Sequence, residues 1–361
     1  MTSLRMKKPL LDLTPEELHA WLAEQGQPAY RAAQIRRWIF AGRADGFSDM
    51  TDLPAALREA LERQWSLWTT RIARHQQSPD GTEKLLVELS DGQTIECVLL
   101  RDGGRRTICI SSQVGCAMGC VFCASGLDGV KRNLTRGEIL EQTLRLQRLL
   151  PGEERLSHLV VMGMGEPLAN LGHVIPALDV VRSKEGLGMS ARRITISTVG
   201  LPRGLDELAQ LAVPYHLAVS LHAPNDELRN QLVPVNRKTG LDEILAAAQR
   251  FFETSGRRLT FEYVLLAGMN DRAEHARQLS QRLRGHQALV NVIPYNPVAG
   301  LPYQTPAAAD VRRFCEILEQ AGINVQVRER KGSEIDAACG QLRRTHQVSD
   351  PPTGVVLVPG P

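Results

Sequence analysis

The stretch Ser111-Ser-Gln-Val-Gly-Cys-Ala-Met-Gly-Cys-Val-Phe-Cys123 places three thiols, Cys116, Cys120 and Cys123, on one short loop with the spacing C-x3-C-x2-C. Three cysteines so spaced can hold three irons of a cubane cluster and leave the fourth iron without a protein ligand, open to a substrate. A structural zinc site takes four protein ligands, usually as two C-x2-C pairs or as Cys/His pairs. Neither this loop nor its neighbours supply them. Seven cysteines in 361 residues, an odd number with three clustered, fit reduced thiols and a metal site better than a secreted disulfide framework.

Downstream of the loop, short apolar runs alternate with helical stretches. A helix is predicted from Thr135, with Glu138 three residues on to complete a capping box, then a strand at Leu159-Val-Val-Met162 and a helix near 173–183. Strands follow at about 193–198, 215–221, 259–265 and 289–293, with a last β-rich run at 323–328. Repeated βα units of this length predict a parallel sheet with right-handed crossovers. Six of them, counting the strand Thr107-Ile-Cys-Ile110 that enters the cysteine loop, predict an α/β fold with a partial (β/α)6 barrel over 107–345 rather than a closed eight-stranded one. Function then belongs at the C-terminal ends of the strands, where the cysteine loop sits.

Upstream, residues 1–66 read as a small helical domain. Thr14-Pro15-Glu16-Glu17 combines an N-cap, a proline at N1 and a capping-box glutamate, and two more helices are expected at about 29–41 and 54–65. The second carries Arg31, Arg36 and Arg37 around Trp38, which reads either as an RNA-facing surface or as a solvated helix face. Over 67–106, Asp80-Gly81, Asp91-Gly92 and Asp102-Gly103 separate short apolar runs, the pattern of a β-meander. The Pro/Gly-rich residues 346–361 are expected to be a disordered tail.

Forty-three basic residues against 40 acidic ones permit a nucleic-acid partner without demanding one. Aromatics at 4 per cent argue against an extended base-stacking platform and for recognition by shape and phosphate contacts, should RNA be bound. Basic residues near the start precede no apolar core of a leader, and no stretch approaches 18 apolar residues, so a cytoplasmic protein without a membrane partner is expected.

Polar groups recur at equivalent strand ends. Gly163-Met-Gly-Glu-Pro167 offers Gly165, where backbone can approach a ligand, and Glu166, which can accept from an amino group or hydroxyls. Ser197, the run Ser220-Leu221-His222, and Asn296 stand at the ends of later strands. Each alone reads as a turn or cap residue, but together they fit a shared ligand at one rim.

The cysteine spacing and its setting resemble the radical S-adenosylmethionine enzymes, whose loop carries one 4Fe-4S cluster chelated at its open iron by the methionine end of the cofactor. Iron-sulfur clusters span roughly −700 to +450 mV, and the low end suffices to push an electron onto a sulfonium, giving a 5′-deoxyadenosyl radical. In that superfamily a Gly-Glu-Pro-like segment meets the cofactor's amino group. The runs Cys109-Ile-Ser-Ser-Gln-Val-Gly-Cys116, Val161-Met-Gly-Met-Gly-Glu-Pro-Leu168, Ser220-Leu-His-Ala-Pro-Asn225 and Asp336-Ala-Ala-Cys-Gly-Gln-Leu342 look like the RlmN/Cfr family of RNA adenosine methyltransferases, and more like its RlmN branch. The match covers about 80–345, and the N-terminal helices resemble that family's accessory RNA-binding domain. Val130 departs from it, since the family often has an aromatic after Gly129.

The resemblance implies roles. Cys339 takes a methyl from one S-adenosylmethionine, and a second supplies the radical that activates the thiomethyl carbon, two per turnover. Glu96 is the proton acceptor, and Cys109 resolves the RNA adduct through a transient disulfide with Cys339. Gly165, Glu166, Ser197, Ser220, Leu221, His222 and Asn296 bind the cofactor. The implied substrates are an adenosine of 23S rRNA, methylated at carbon 2, and in tRNA the adenosine beside the anticodon. The implied electron donor is a reductase such as a flavodoxin system. Two alternatives stand: carbon-8 methylation of the same rRNA adenosine, as in the Cfr branch, and a non-catalytic zinc RNA-binding protein. On the residues alone, Cys109 reads as an inert half-buried thiol, Glu96 as a solvent-facing meander residue and Cys339 as a packing residue. Cys97 and Cys315 match no role and read as packing residues.

Overall fold

Both capping boxes legible in the sequence open helices. Thr14 caps Pro15–Glu24 and Thr135 caps Arg136–Arg148, each hydroxyl accepting from the backbone of a glutamate three residues on while that glutamate accepts from the cap N–H. The computed structural model describes residues 7–257 and 259–343 and the backbone of Val356–Leu357. The expected disordered tail at 346–361 lies outside the described residues, apart from that two-residue strand.

The N-terminal helices Pro15–Glu24, Tyr30–Phe40 and Ala55–Gln64 lead into the antiparallel strands β1 (Arg71–Gln77), β2 (Glu83–Glu88), β3 (Thr94–Asp102) and β4 (Arg105–Cys109). From β4 the sheet continues in parallel through β5 (His158–Val161), β6 (Ile194–Thr198), β7 (His216–Ser220), β8 (Leu259–Leu265), β9 (Ala288–Pro294) and β10 (Asn324–Val327). Strand order is sequential, β10 at one edge and Val356–Leu357, paired with β1, at the other. The six-strand expectation is thus extended by one: the run at 323–328 joins as a seventh parallel strand, because the helix Ala308–Gln320 returns the chain beside β9.

Period-two patterning explains which residues reach the site. Along β6, Ile194 and Ile196 are fully buried in the main core while Ser197 stays half-buried on the other face. Along β4, Ile108 is core and Cys109 faces the opposite way. The cysteine loop is held at its base by a small two-stranded ladder, Gln113–Gly115 against Val130–Asn133, with a Cys116 N–H bond to the Gly129 carbonyl. Val130, the residue departing from the family pattern, is exposed.

Two apolar clusters organise the molecule. The larger runs from Leu10 through Trp65 into the barrel strands, so the N-terminal helices share one core with the barrel. The smaller caps the strand ends, packing Met118, Phe122 and Ala124 of the cysteine loop on Val199, Leu232, Leu266 and Tyr295. Cys97 and Cys315 are buried among apolar neighbours. Among the described residues no helix is long and apolar enough to cross a membrane.

The arginine face of the second helix is engaged within the protein. Arg37 pairs with Asp52, Arg31 donates to Gln34 and the Asp52 carbonyl, and Arg36 pairs with Glu185 beside the barrel. These partners lie 15 to 149 residues away for the two ion pairs, too far for a helical pattern to reveal them.

Candidate active site

The cysteine loop and the strand ends close around one cavity. Cys116, Cys120 and Cys123 line it on the loop side, and Gly165, Glu166, Ser197, Ser220, His222 and Asn296 line it from the ends of β5, β6, β7 and β9. Leu221 is the exception among the expected residues. Its side chain is fully buried in the main core, its N–H donates to the Glu262 carbonyl and its own carbonyl accepts from Arg229.

The glycines of Gly163-Met-Gly165 were expected to let the backbone approach a ligand, but their close neighbour is the chain itself. A Cβ at Gly163 would lie 2.7 Å from the Ile110 carbonyl oxygen, and one at Gly165, where φ is +103°, would lie 2.6 Å from Gln113. The turn is therefore pressed against the segment that leads into the cysteines. Gly165 also reaches the cavity wall.

Glu166 is buried and joins two strand ends: Leu168 N–H donates to Oε1 (3.0 Å) and Val199 N–H to Oε2 (2.9 Å). Burial pushes its carboxyl up to about 7, against the hydrogen bonds from Val199, Thr198 and Leu168. A raised carboxyl gives stability that is complete below the unfolded value of 4.5 and lost as pH rises through about 7. In cluster-free protein this is about 3 kcal/mol. Denaturant unfolding of wild type and Glu166→Gln across pH 4.5 to 8 is expected to shift by about that amount in favour of the non-titrating variant as pH rises. A difference that stays constant would refute this.

His222 holds a left-handed backbone, φ 61°, uncommon for a residue with a side chain and costing of order 1–3 kcal/mol. Val264 N–H donates to its Nδ1 (3.1 Å), which places the ring proton on Nε2, and Phe122 of the cysteine loop meets the ring edge-on at 5.0 Å. Burial, and then Arg229, push the imidazole down to about 3, so it is neutral. Arg229 is fully buried and gathers carbonyls: Nε donates to Leu221 O (2.9 Å), Nη2 to Val199 O (2.7 Å) and Ser220 O (2.9 Å). Burial pushes it down to about 10, with Cys120 and Asp226 opposing.

Burial pushes the Cys116 thiol up to about 12, and the Cys120 and Cys123 thiols upward as well, so loading a cluster must release protons. Among the described residues no three His, Cys, Asp or Glu side chains form a group for a single metal ion, and a cubane instead spreads its three thiolates over three irons. Two buried acceptors in the same cavity, Asn296 Oδ1 and Glu262 Oε2, have no partner. An apolar-walled cavity with orphaned acceptors fits a ligand that brings hydrogen-bond donors, as the ribose and amino group of S-adenosylmethionine do.

The first cavity continues into a second, and Cys339 and Asn296 line both, with Asn296 Nδ2 donating to the Cys339 carbonyl (3.2 Å). Cys109 lines the second, burial pushing its thiol up to about 12 with Cys339 adding to the effect. Arg105, Arg330 and Lys331 stand on the wall of this second cavity. Glu96, expected to face solvent on residue pattern alone, is buried and lines neither cavity. It pairs with Lys84 (2.9 Å) and accepts from Arg343 N–H (2.7 Å), on the segment that carries Cys339.

Sequence reasoning missed Arg229, Lys84, Phe122, Glu262 and Arg328. Glu262 had a signal, a carboxylate inside the apolar strand Leu259-Thr-Phe-Glu-Tyr-Val-Leu265, and Asn291 on the neighbouring strand donates to it (3.0 Å). Arg328 follows β10, lines both cavities and approaches Met162 Sδ (3.8 Å). The nearness of Cys339, ahead of Glu262, holds its guanidinium above the usual value.

An open parallel α/β barrel with three loop cysteines at the strand ends is the arrangement of the radical S-adenosylmethionine class, and residues 110–279 match the family model described as the radical SAM superfamily. Residues 8–67 match the N-terminal domain of ribosomal RNA large subunit methyltransferases. A Rhodopirellula baltica protein named "Probable dual-specificity RNA methyltransferase RlmN" is 67% identical over 338 residues, covering 94% of this chain and 91% of the relative. A relative of the same name from Symbiobacterium thermophilum is 47% identical over 94% of this chain and 92% of its own. The crystal structure of a radical SAM methyltransferase from Sphaerobacter thermophilus superposes with a TM-score of 0.91 at 44% identity, covering 94% of this chain and all of the other. The chain belongs to the RlmN family of radical SAM RNA methyltransferases, and that membership implies a 4Fe-4S cluster, S-adenosylmethionine and an RNA substrate.

Proposed function

We propose that the enzyme methylates carbon 2 of an adenosine in 23S rRNA and of the adenosine beside the anticodon in tRNA, in the cytoplasm, consuming two S-adenosylmethionine molecules per turnover. The observation that carries this reading is the placement of Cys339 where two cavities meet, one lined by the three loop cysteines and the other by Cys109 and basic side chains. Cys116, Cys120 and Cys123 would hold the cluster. Gly165, Glu166, Ser197, Ser220, His222 and Asn296 would hold the cofactor, with Leu221 contributing only its place in the turn.

When bound, the cluster and cofactor supply the methyl group and a 5′-deoxyadenosyl radical. Cys339 gives up its thiol proton and accepts the methyl as a thioether. That methyl carbon, having lost a hydrogen atom, bonds to carbon 2 of the base, a C–H carbon too poor a nucleophile for direct polar methylation. Glu96, held against the segment that carries Cys339, would take the ring proton, and the one electron left on the ring would return to the cluster that supplied the electron for the radical. Cys109, giving up its thiol proton, then attacks the Cys339 sulfur; the carbon–sulfur bond breaks with its electron pair going to the carbon, which takes up a proton to become the methyl group, and methylated RNA leaves behind a Cys109–Cys339 disulfide. Two electrons from an external reductase of the flavodoxin kind restore the thiols. The N-terminal helices and the cations of the second cavity serve RNA docking.

The test is mass spectrometry of nucleosides from rRNA and tRNA of cells lacking the gene, with and without its restoration. Loss and recovery of 2-methyladenosine in both RNAs is expected. Appearance of 8-methyladenosine instead would move the enzyme to the carbon-8 branch, and no change in either RNA would overturn the reading.

A further inference from the structure

Residues 332–343 cross the β1–β3 meander as a strap carrying Cys339, tied to it at three places. Gly332 N–H donates to Asp80 Oδ2 (2.8 Å), Lys84 Nζ to the Asp336 carbonyl (3.1 Å), and Arg343 N–H to Glu96 Oε2 (2.7 Å). On its other side the strap meets the cysteine loop and β9, where Ala124 N–H donates to Gly340 O (2.7 Å) and Ser125 Oγ to Leu342 O (2.8 Å), beside the Asn296 bond to Cys339. Cys339 is thereby suspended between two sets of anchors.

Lys84 and Glu96 are 5% and 7% exposed, and lysine is seldom buried to this degree unless paired. Strand β2 itself offers the ammonium no partner, since Leu85, Leu86 and Val87 are buried apolar residues and the buried Glu83 pairs with His75 and Arg101. The strap gives one. Its Asp336 carbonyl and Arg343 N–H lie against β2 and β3 and need polar partners, and the ammonium reaches both the Asp336 carbonyl and the carboxylate that holds Arg343. Asp336 also sits in left-handed backbone, φ 51°, a conformation held from outside the residue.

We propose that Lys84 is a positioning residue for the methyl-carrying thiol: one buried ammonium holds the Asp336 carbonyl and Glu96, and through them fixes the strap that presents Cys339 to the cavities. The role matters to catalysis only under the reading of Cys339 and Glu96 given above. Removing the cation leaves a lone buried carboxylate, whereas removing both charges leaves an uncharged acceptor for Arg343 N–H.

The experiment uses the full-length, cluster-loaded protein as wild type, Lys84→Met and the double variant Lys84→Met, Glu96→Gln. Amide hydrogen exchange over 336–343 and the rate of Cys339 alkylation by iodoacetamide, mapped by mass spectrometry, are read against exchange in β6. In Lys84→Met both strap readouts are expected to rise about tenfold with β6 unchanged, and in the double variant to return most of the way. Lys84→Gln, neutral and shorter, is read the same way should the methionine variant not fold. Strap exchange and alkylation at wild-type rates, a rise shared equally by β6, or a double variant no better than the single would each overturn the proposal. Neither readout needs RNA or methyl transfer, so a wild type inactive on RNA counts against the function proposed above and not against Lys84.

Discussion

Cys116→Ala, Cys120→Ala and Cys123→Ala, each purified without oxygen, are expected to lack the brown colour and broad visible absorption of an iron-sulfur protein and to methylate no RNA. The effect should be close to total. Disturbing only the outer partners of a metal ligand costs about 10–100-fold, and here one of three protein ligands is removed outright. The loop offers no substitute, because its side chains between the thiols are Ala117, Met118, Gly119, Val121 and Phe122, and the last packs into the apolar cap over the strand ends. Iron content, visible spectrum and release of 5′-deoxyadenosine are the measurements. Retained iron with normal activity in any one variant would remove that cysteine from the ligand set, and a colourless wild type that binds stoichiometric zinc would replace the cluster with a zinc site.

Much of the site was legible in the sequence because it is built from local patterns in a periodic fold. Cys116, Cys120 and Cys123 lie within eight residues, and Ser197, Ser220 and Asn296 were placed by counting βα units, since every strand of a parallel sheet delivers its C-terminal end to the same rim. The capping boxes at Thr14 and Thr135 were legible for the same reason, each being contained in four residues.

What was not legible depends on partners far apart in the chain. Glu96 read as solvent-facing because meander alternation puts it opposite Ile95 and Cys97, but the strap arrives from 247 residues away to cover that face. Arg31, Arg36 and Arg37 formed a basic helix face on paper, and only the fold supplies Asp52 and Glu185 to meet them. The glycines of Gly163-Met-Gly165 had the right residue type for a close approach, yet a sequence cannot say whether backbone or ligand is what approaches. Nothing in the sequence around Arg229 marks it out, yet its burial on the short helix Asp226–Leu232 turns it into the post on which the ends of β6 and β7 hang.

The two lone thiols carry the remaining large effect, because the proposed chemistry gives them opposite parts. With Cys109→Ala, Cys339 still accepts the methyl and its carbon still bonds to the base, but no thiol remains to attack sulfur, so protein joined covalently to RNA is expected to accumulate. With Cys339→Ala there is no sulfur to load, and neither methylated protein, adduct nor product is expected. The double variant should behave as the Cys339 single, since losing the first step hides loss of the last. Geometry makes the assignment directional. Cys339 lines both cavities and so can meet cofactor and RNA, whereas Cys109, on β4, lines only the second, with Cys339 beside it. Neither leftover cysteine can stand in, Cys97 being fully buried in the core and Cys315 lying on the helix Ala308–Gln320. The measurement is denaturing electrophoresis after incubation with RNA, cofactor and reductant, with nuclease treatment of any slow band. A Cys109→Ala enzyme that turns over freely, or a Cys339→Ala enzyme that forms the adduct, would require the two thiols to exchange roles or give them up.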